Sequence, residues 1–223
     1  MTLKTTGTTA RIIGLAVLML LLCSPAPALS VELPAILAGL EDRYGVNDFS
    51  AQFFQVSVLK AMDMEDTASG RVWFRKPGMM RWEYDKPERQ TIVSNAESLW
   101  IHRPEDNQVM VGKAPNYFGN GRGASFLTDI GGIKEQFEIT LLPDSDVHRH
   151  LLELVPRKRT PDLDRIRMGV NRKTFAIESV VTYNQFGDET RLSFTGIGYD
   201  QGLSPSMFTF DIPPGAEVVY LDQ

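Results

Sequence analysis

Apolar and polar positions change their rhythm early in this chain. Leu33, Ile36, Leu37, Leu40 and Tyr44 recur three and four residues apart, with Glu41, Asp42 and Arg43 among the polar positions. That spacing predicts an amphipathic helix with one buried face, and Gly45 supplies its stop. From Phe49 the period falls to two. Phe49, Ala51 and Phe53 alternate with Ser50 and Gln52, as on a strand with one face in the core. Strand-like runs follow at 70–76, 79–84, 90–94, 98–103, 108–112, 135–142, 150–155, 164–170, 174–183, 189–197 and 206–212. Pro77-Gly78, Pro104-Glu105-Asp106-Asn107, Pro143-Asp144-Ser145 and Gly187-Asp188 separate many of them. Connections this short favour antiparallel hairpins, and the chain shows no alternation of strand with helix. The expectation is a mainly β protein with a few helices, built as one large curved sheet or barrel.

One segment breaks the pattern. Gly119-Asn120-Gly121-Arg122-Gly123 and Gly131-Gly132 bracket a short amphipathic stretch with Phe126, Leu127 and Ile130 on one side. Glycines on both flanks suit movement, so the stretch reads as a small helical lid over the sheet. A plain connector between two halves of the sheet fits the same residues.

The first thirty residues stand apart from the fold. Lys4 and Arg11 precede an apolar run from Ile12 to Leu22, followed by Ser24-Pro25-Ala26-Pro27-Ala28. This is the make-up of a secretory signal peptide, cleaved after Ala28 or Ser30, which leaves 31–223 as a single domain. Cys23 follows Leu22 rather than a small residue, so a lipidated cysteine is the weaker reading. As Cys23 is the only cysteine, the exported part must be held by its core and not by disulfides. All 28 acidic residues lie beyond Ser30 and two of the 23 basic ones before it, so the exported part carries a net charge of −7. Such a balance argues against non-specific binding of nucleic acid.

Chemistry-bearing motifs are scarce. The sequence has no Gly-x-Ser-x-Gly elbow, phosphate-binding loop or His-Glu-x-x-His, so an enzyme, a metal site and a cofactor are not expected. His148 and His150 could begin a metal site, but a third ligand is missing nearby, and a solvated hairpin edge is the expectation. His102 shares the Trp100 side of its strand and reads as structural. Asp162 and Asp164 read as solvated turn acids. The basic run Arg157-Lys158-Arg159 reads as an exposed loop that could touch anionic headgroups.

The most specific stretch is Gly70-Arg71-Val72-Trp73-Phe74-Arg75-Lys76-Pro77-Gly78-Met79-Met80-Arg81-Trp82-Glu83-Tyr84, continued by Ile92-Val93-Ser94-Asn95 and Leu99-Trp100-Ile101. With Phe49-Ser50-Ala51-Gln52-Phe53-Phe54-Gln55 before it and Phe208-Thr209-Phe210-Asp211-Ile212-Pro213-Pro214-Gly215 after it, the chain resembles the outer-membrane lipoprotein carrier family (LolA). The resemblance implies an unclosed antiparallel β-barrel, a strongly curved sheet, covered by a helical lid over a hydrophobic cavity. It implies a monomeric periplasmic carrier of acylated lipoproteins. Its partners would be an inner-membrane ABC-type lipoprotein-releasing transporter and an outer-membrane lipoprotein acceptor. Two residues depart from the family pattern: Lys76 where many members carry an arginine thought to latch the lid, and Ala96 where a turn glycine is expected.

Strand parity supplies candidate cavity walls. Phe53, Val72, Phe74, Met80, Trp82, Tyr84, Leu99 and Ile101 would face inward, continued by Val109 and Val111 and closed by Phe126, Leu127 and Ile130. Lys76, at the end of an inward run, would latch the lid. The same pattern would serve a plain filled core. Other functions compatible with the sequence are carriage of another lipid, a lipoprotein acceptor, a periplasmic lipid-binding sensor, and an enzyme on the same sheet.

Overall fold

The computed structural model describes residues 1–2, 33–115, 125–143 and 147–221. Gly119, Gly121 and Gly123, and all but the first two residues of the expected signal segment, lie outside them. The chain divides into two units, 1–31 and 32–223, and every element below belongs to the second.

Helix α1 (Leu33–Arg43) forms where the three-and-four spacing requires it and buries Ile36, Leu37 and Leu40. The strands are β1 (Asp48–Leu59), β2 (Met64–Arg75), β3 (Met79–Lys86), β4 (Gln90–Asn95), β5 (Ser98–Arg103) and β6 (Gln108–Lys113). After a 3-10 turn (Ser125–Thr128) and a single helical turn, α2 (Ile133–Gln136), come β7 (Phe137–Leu141), β8 (Arg149–Pro156), β9 (Arg165–Asn171), β10 (Ile177–Tyr183) and β11 (Glu189–Tyr199). A further 3-10 turn (Pro205–Phe208) precedes β12 (Glu217–Tyr220).

All twelve strands form one sheet in the order β12-β6-β5-β4-β3-β2-β1-β11-β10-β9-β8-β7. Two antiparallel meanders, β1 to β6 and β7 to β11, meet where β1 pairs with β11. Strand β12 joins β6 in parallel. Strands β7 and β12 are the two ends of the sheet, which therefore remains an unclosed curved sheet.

Register decides which side chains meet, because partners in a ladder share a face. Ala51, Val72, Trp82, Ile92, Ile101 and Met110 form one row across six strands. Phe49, Phe74, Met80, Ser94 and Leu99 form the next. On the other wing Leu192, Val180, Met168 and Leu152 line up in the same way. Helix α1 packs on this inner face, and one buried cluster joins its Ile36, Leu37 and Leu40 to both wings.

The opposite face of β3 to β6 is covered by the chain that follows β11. Asp48, 3% exposed, accepts hydrogen bonds from the backbone N–H of Gln201 (2.7 Å) and Leu203 (3.0 Å) and so fixes the start of this strap. Arg75 donates to the Leu203 carbonyl at 2.6 Å, and Arg81 to that of Met207 at 3.2 Å. Phe208 is fully buried, and the Phe210 ring lies 5.2 Å from that of His102.

Four expectations need correction. The run 206–212 is a 3-10 turn with an extended tail rather than a strand; Phe208 and Phe210 alternate because they pack onto a sheet face, and Pro205 and Pro213 bracket them. The final strand is β12, four residues long and placed by its pairing with β6. The Phe126 stretch is a 3-10 turn over Ser125–Thr128 and not a helix reaching Ile130; Asp129 accepts from Gly132 N at 3.1 Å beyond it, and the separate turn α2 begins only at Ile133. His150 is no solvated edge residue; it is 3% exposed and stands in register with Val170 on the inner face.

Candidate functional site

The inner face gathers most of the expected wall. Phe53, Val72, Phe74, Met80 and Trp82 from the sheet and Phe126, Leu127 and Ile130 from the 125–130 segment lie in one buried cluster with α1, and Tyr84 packs against it half-buried. Aromatic rings run along it. Phe49 stacks on Phe74 at 4.6 Å, Phe53 meets Trp82 edge-on at 4.8 Å, and Phe53 meets Tyr84 at 5.0 Å.

Leu99 and Ile101 are placed differently. They form a second, smaller cluster with Ala114, and Ile92 touches both clusters. The expectation for Val109 and Val111 fails. The β5–β6 register pairs Leu99 with Gly112 and Ile101 with Met110, while Trp100 pairs with Val111 and His102 with Val109. Hence Met110 faces inward, and Val109 and Val111 face the side that carries the strap. The connection Pro104–Asn107 sets this parity, and counting apolar residues alone could not reveal it.

Sequence reading also missed half of the wall. Leu152, Leu154, Ile166, Met168, Val180, Leu192 and Phe194 belong to the same buried cluster. Their signal was available in the alternation of Leu152-Glu153-Leu154 and Ile166-Arg167-Met168.

Polar groups frame the site at the end of α1, around Tyr44. Its hydroxyl accepts a hydrogen bond from Ile177 N at 2.8 Å, where β10 departs from regular register, and lies 3.3 Å from the Tyr199 hydroxyl. Its carbonyl accepts a 2.6 Å bond from Lys76 Nζ. Lys76 therefore ties the end of β2 to the C-terminal turn of α1, where helix carbonyls favour a cation. Burial pushes the Tyr44 hydroxyl well above its ordinary pKa, with Tyr199 adding to the shift. Burial also pushes that of Tyr84 up to about 12, and Tyr84 faces Gln55 Oε1 at 3.2 Å.

Between α1, the 125–130 segment and the sheet, Tyr44, Phe49, Ala51, Leu127, Ile177, Phe194 and Ile197 surround a crevice of about 10 Å³. That is room for about one water and far too little for an acyl chain. Any long apolar ligand at this crevice must displace Leu127 and its neighbours.

The model of the family described as outer membrane lipoprotein carrier protein LolA matches residues 44–211, a span running from the Tyr44 hub to the strap. The chain belongs to that family. Curated relatives named outer-membrane lipoprotein carrier protein include one from Methylibium petroleiphilum, 32% identical over 155 residues, covering 69% of this chain and 73% of the relative. One from Hahella chejuensis is 26% identical over 206 residues and covers 90% of this chain and 97% of its own. Among solved structures, an uncharacterized conserved protein from Thermus thermophilus aligns with a TM-score of 0.53 at 14% identity, covering 84% of this chain and 98% of its own, a likeness of fold. Against the pattern expected of LolA carriers, Ala96 holds a left-handed backbone (φ 78°) at its turn, the conformation for which glycine is suited.

Proposed function

We propose that this chain is a periplasmic carrier that shields the acyl chains of lipoproteins against the inner face of its sheet while they move from the inner to the outer membrane. Membership of the LolA family carries this reading. The physical need is clear: each methylene kept from water is worth about 0.8 kcal/mol, so a multi-acyl anchor cannot cross an aqueous gap unshielded. The inner face offers a largely apolar surface, covered among the described residues by α1 and by two short helical turns. Phe53, Val72, Phe74, Met80, Trp82 and Tyr84 would contact the acyl chains on one wing, with Phe126, Leu127 and Ile130 as the displaced lid. Leu99 and Ile101, reached through Ile92, would extend the wall, and Lys76 would hold the closed form through the Tyr44 carbonyl. An inner-membrane ABC-type transporter would load the carrier and an outer-membrane acceptor would unload it.

Native mass spectrometry of protein taken from the periplasm tests the proposal. Acylated polypeptide should co-purify, and the protein should release newly made lipoprotein from spheroplasts. Protein that emerges without acyl cargo and releases none would overturn the carrier reading.

A further inference from the structure

Large apolar side chains stand exposed at one rim of the sheet, contributed by turns far apart in sequence. Met62 is 65% exposed, Met64 46% and Phe186 72%. Met62 and Met64 sit at the β1–β2 hairpin tip and Phe186 at the β10–β11 turn. Lys60 N donates to Asp188 Oδ1 at 2.9 Å, which joins the two tips. The β8–β9 connection adjoins the second of them, since Gln185 N donates to the Pro161 carbonyl at 3.0 Å and Asp164 N to that of Tyr183 at 2.8 Å. These turns are fixed. Asn184 Oδ1 accepts from Phe186 N and from Asp188 N, both at 2.9 Å, so the Phe186 ring is held outward by a bonded backbone.

We propose that this rim docks on a lipid bilayer containing anionic phospholipid, with Met62, Met64 and Phe186 entering the interfacial layer. Membranes fit the geometry better than a protein partner does. A stable protein interface needs about 800 Å² from each side, which three convex turns supply poorly, whereas a bilayer interface takes up single thioether and aromatic side chains. Charge sets the orientation. Arg157, Lys158 and Arg159 are exposed on the β8–β9 connection beside the Phe186 turn, and Lys60 is exposed at the β1–β2 tip. Several rim acids are engaged: Asp188 with Lys60 N and Asn184, Asp164 with Arg165, and Glu189 with Arg191. Asp63, Glu65 and Asp66 are exposed on the hairpin that bears the methionines. The Phe186 side therefore approaches anionic headgroups first, and the methionine side is held by apolar insertion. The carrier reading explains why the protein visits membranes, but the docking itself is a separate property of the rim.

Flotation with vesicles of phosphatidylcholine, alone or mixed with phosphatidylglycerol, tests the proposal on the exported protein. The parent should float with the mixed vesicles. The triple variant Met62→Ser/Met64→Ser/Phe186→Ser should bind them at least about tenfold more weakly. Lys158→Ser/Arg159→Ser should lose the preference for anionic vesicles and become less sensitive to salt. Acyl loading by the triple variant should match the parent, because its changes lie outside the buried cluster; this separates failure of docking from failure of carriage. A parent that never floats, or a triple variant that floats like the parent, overturns the idea. Impaired delivery by the triple variant together with a parent that ignores vesicles would assign the rim to a protein partner instead, and equally overturns it.

Discussion

Single residues in this chain carry separable costs. Ala96 sits at φ 78°, and a Cβ placed on Gly78 would come within 3.0 Å of the Ala96 methyl, so this turn joins two tight positions. Ala96→Gly removes the left-handed penalty and should stabilise the fold by about 1 kcal/mol, read as a higher urea midpoint at unchanged slope. An unchanged or lower midpoint would mean that the turn has relaxed around alanine. Trp82 tests the wall. It is 6% exposed and lies between Val72 and Ile92 in its row. Trp82→Asp places a charge there at a cost of several kcal/mol if it remains desolvated, and cargo binding should fall in protein that still folds. A folded Trp82→Asp variant that transfers lipoprotein normally would remove Trp82 from the site. Both positions could be singled out in the sequence, one by a missing glycine and the other by strand parity. Their actual strain and depth could not, because these depend on which residues the register brings opposite.

At the scale of elements, the proposed carrier differs from a filled core in that α1 and the 125–130 segment would have to lift from the sheet. The α1 spacing was legible because one face of that helix packs on a single apolar surface. The strap was not legible. Phe208-Thr209-Phe210 alternates like a strand, yet its partners are side chains of an existing sheet, with its carbonyls at 203 and 207 taken by Arg75 and Arg81. The role of Lys76 lies between these cases. Its position suggested a latch, and the structure gives its bond to the last turn of α1, at the Tyr44 carbonyl. Lys76→Leu removes this bond, worth about 0.5–1.5 kcal/mol for a partly exposed charged donor at a helix end, and should change the rate of cargo handover. Lys76→Arg keeps a donor and should preserve transfer, its planar fork tightening closure. A lipoprotein handover assay with both variants decides the matter. If the Leu and Arg proteins load and release like the parent, Lys76 is only a solvated strand-end cation.

At the scale of the whole molecule, the covers sit close on the sheet at the Tyr44 end, where α1 and the 125–130 segment leave a crevice of about 10 Å³. Carriage then depends on how much free energy holds those covers down. Part of it is reported by two tyrosines under the covers. Burial raises the hydroxyl pKa of Tyr44 and lifts that of Tyr84 to about 12, from 10.0 for an ordinary tyrosine. The folded protein thus holds both protons more tightly than the unfolded chain does. Stability from this source is complete below the unfolded pKa of about 10. It declines above that value by about 1.4 kcal/mol per pH unit for each tyrosine, until the folded hydroxyl itself ionises, for Tyr84 near pH 12. Urea midpoints measured at about pH 8 and about pH 11 should therefore differ, beyond what the exposed groups contribute. Tyr84→Phe cannot ionise and should keep about 1.4 kcal/mol more of its neutral-pH stability at the higher pH than the parent keeps. Its cost at neutral pH should be small, since the bond it loses is a 3.2 Å contact with half-buried Gln55. Equal alkaline losses in parent and variant would show that Tyr84 is solvated in the resting protein, and hence that the sheet is already open on that wing before any cargo arrives.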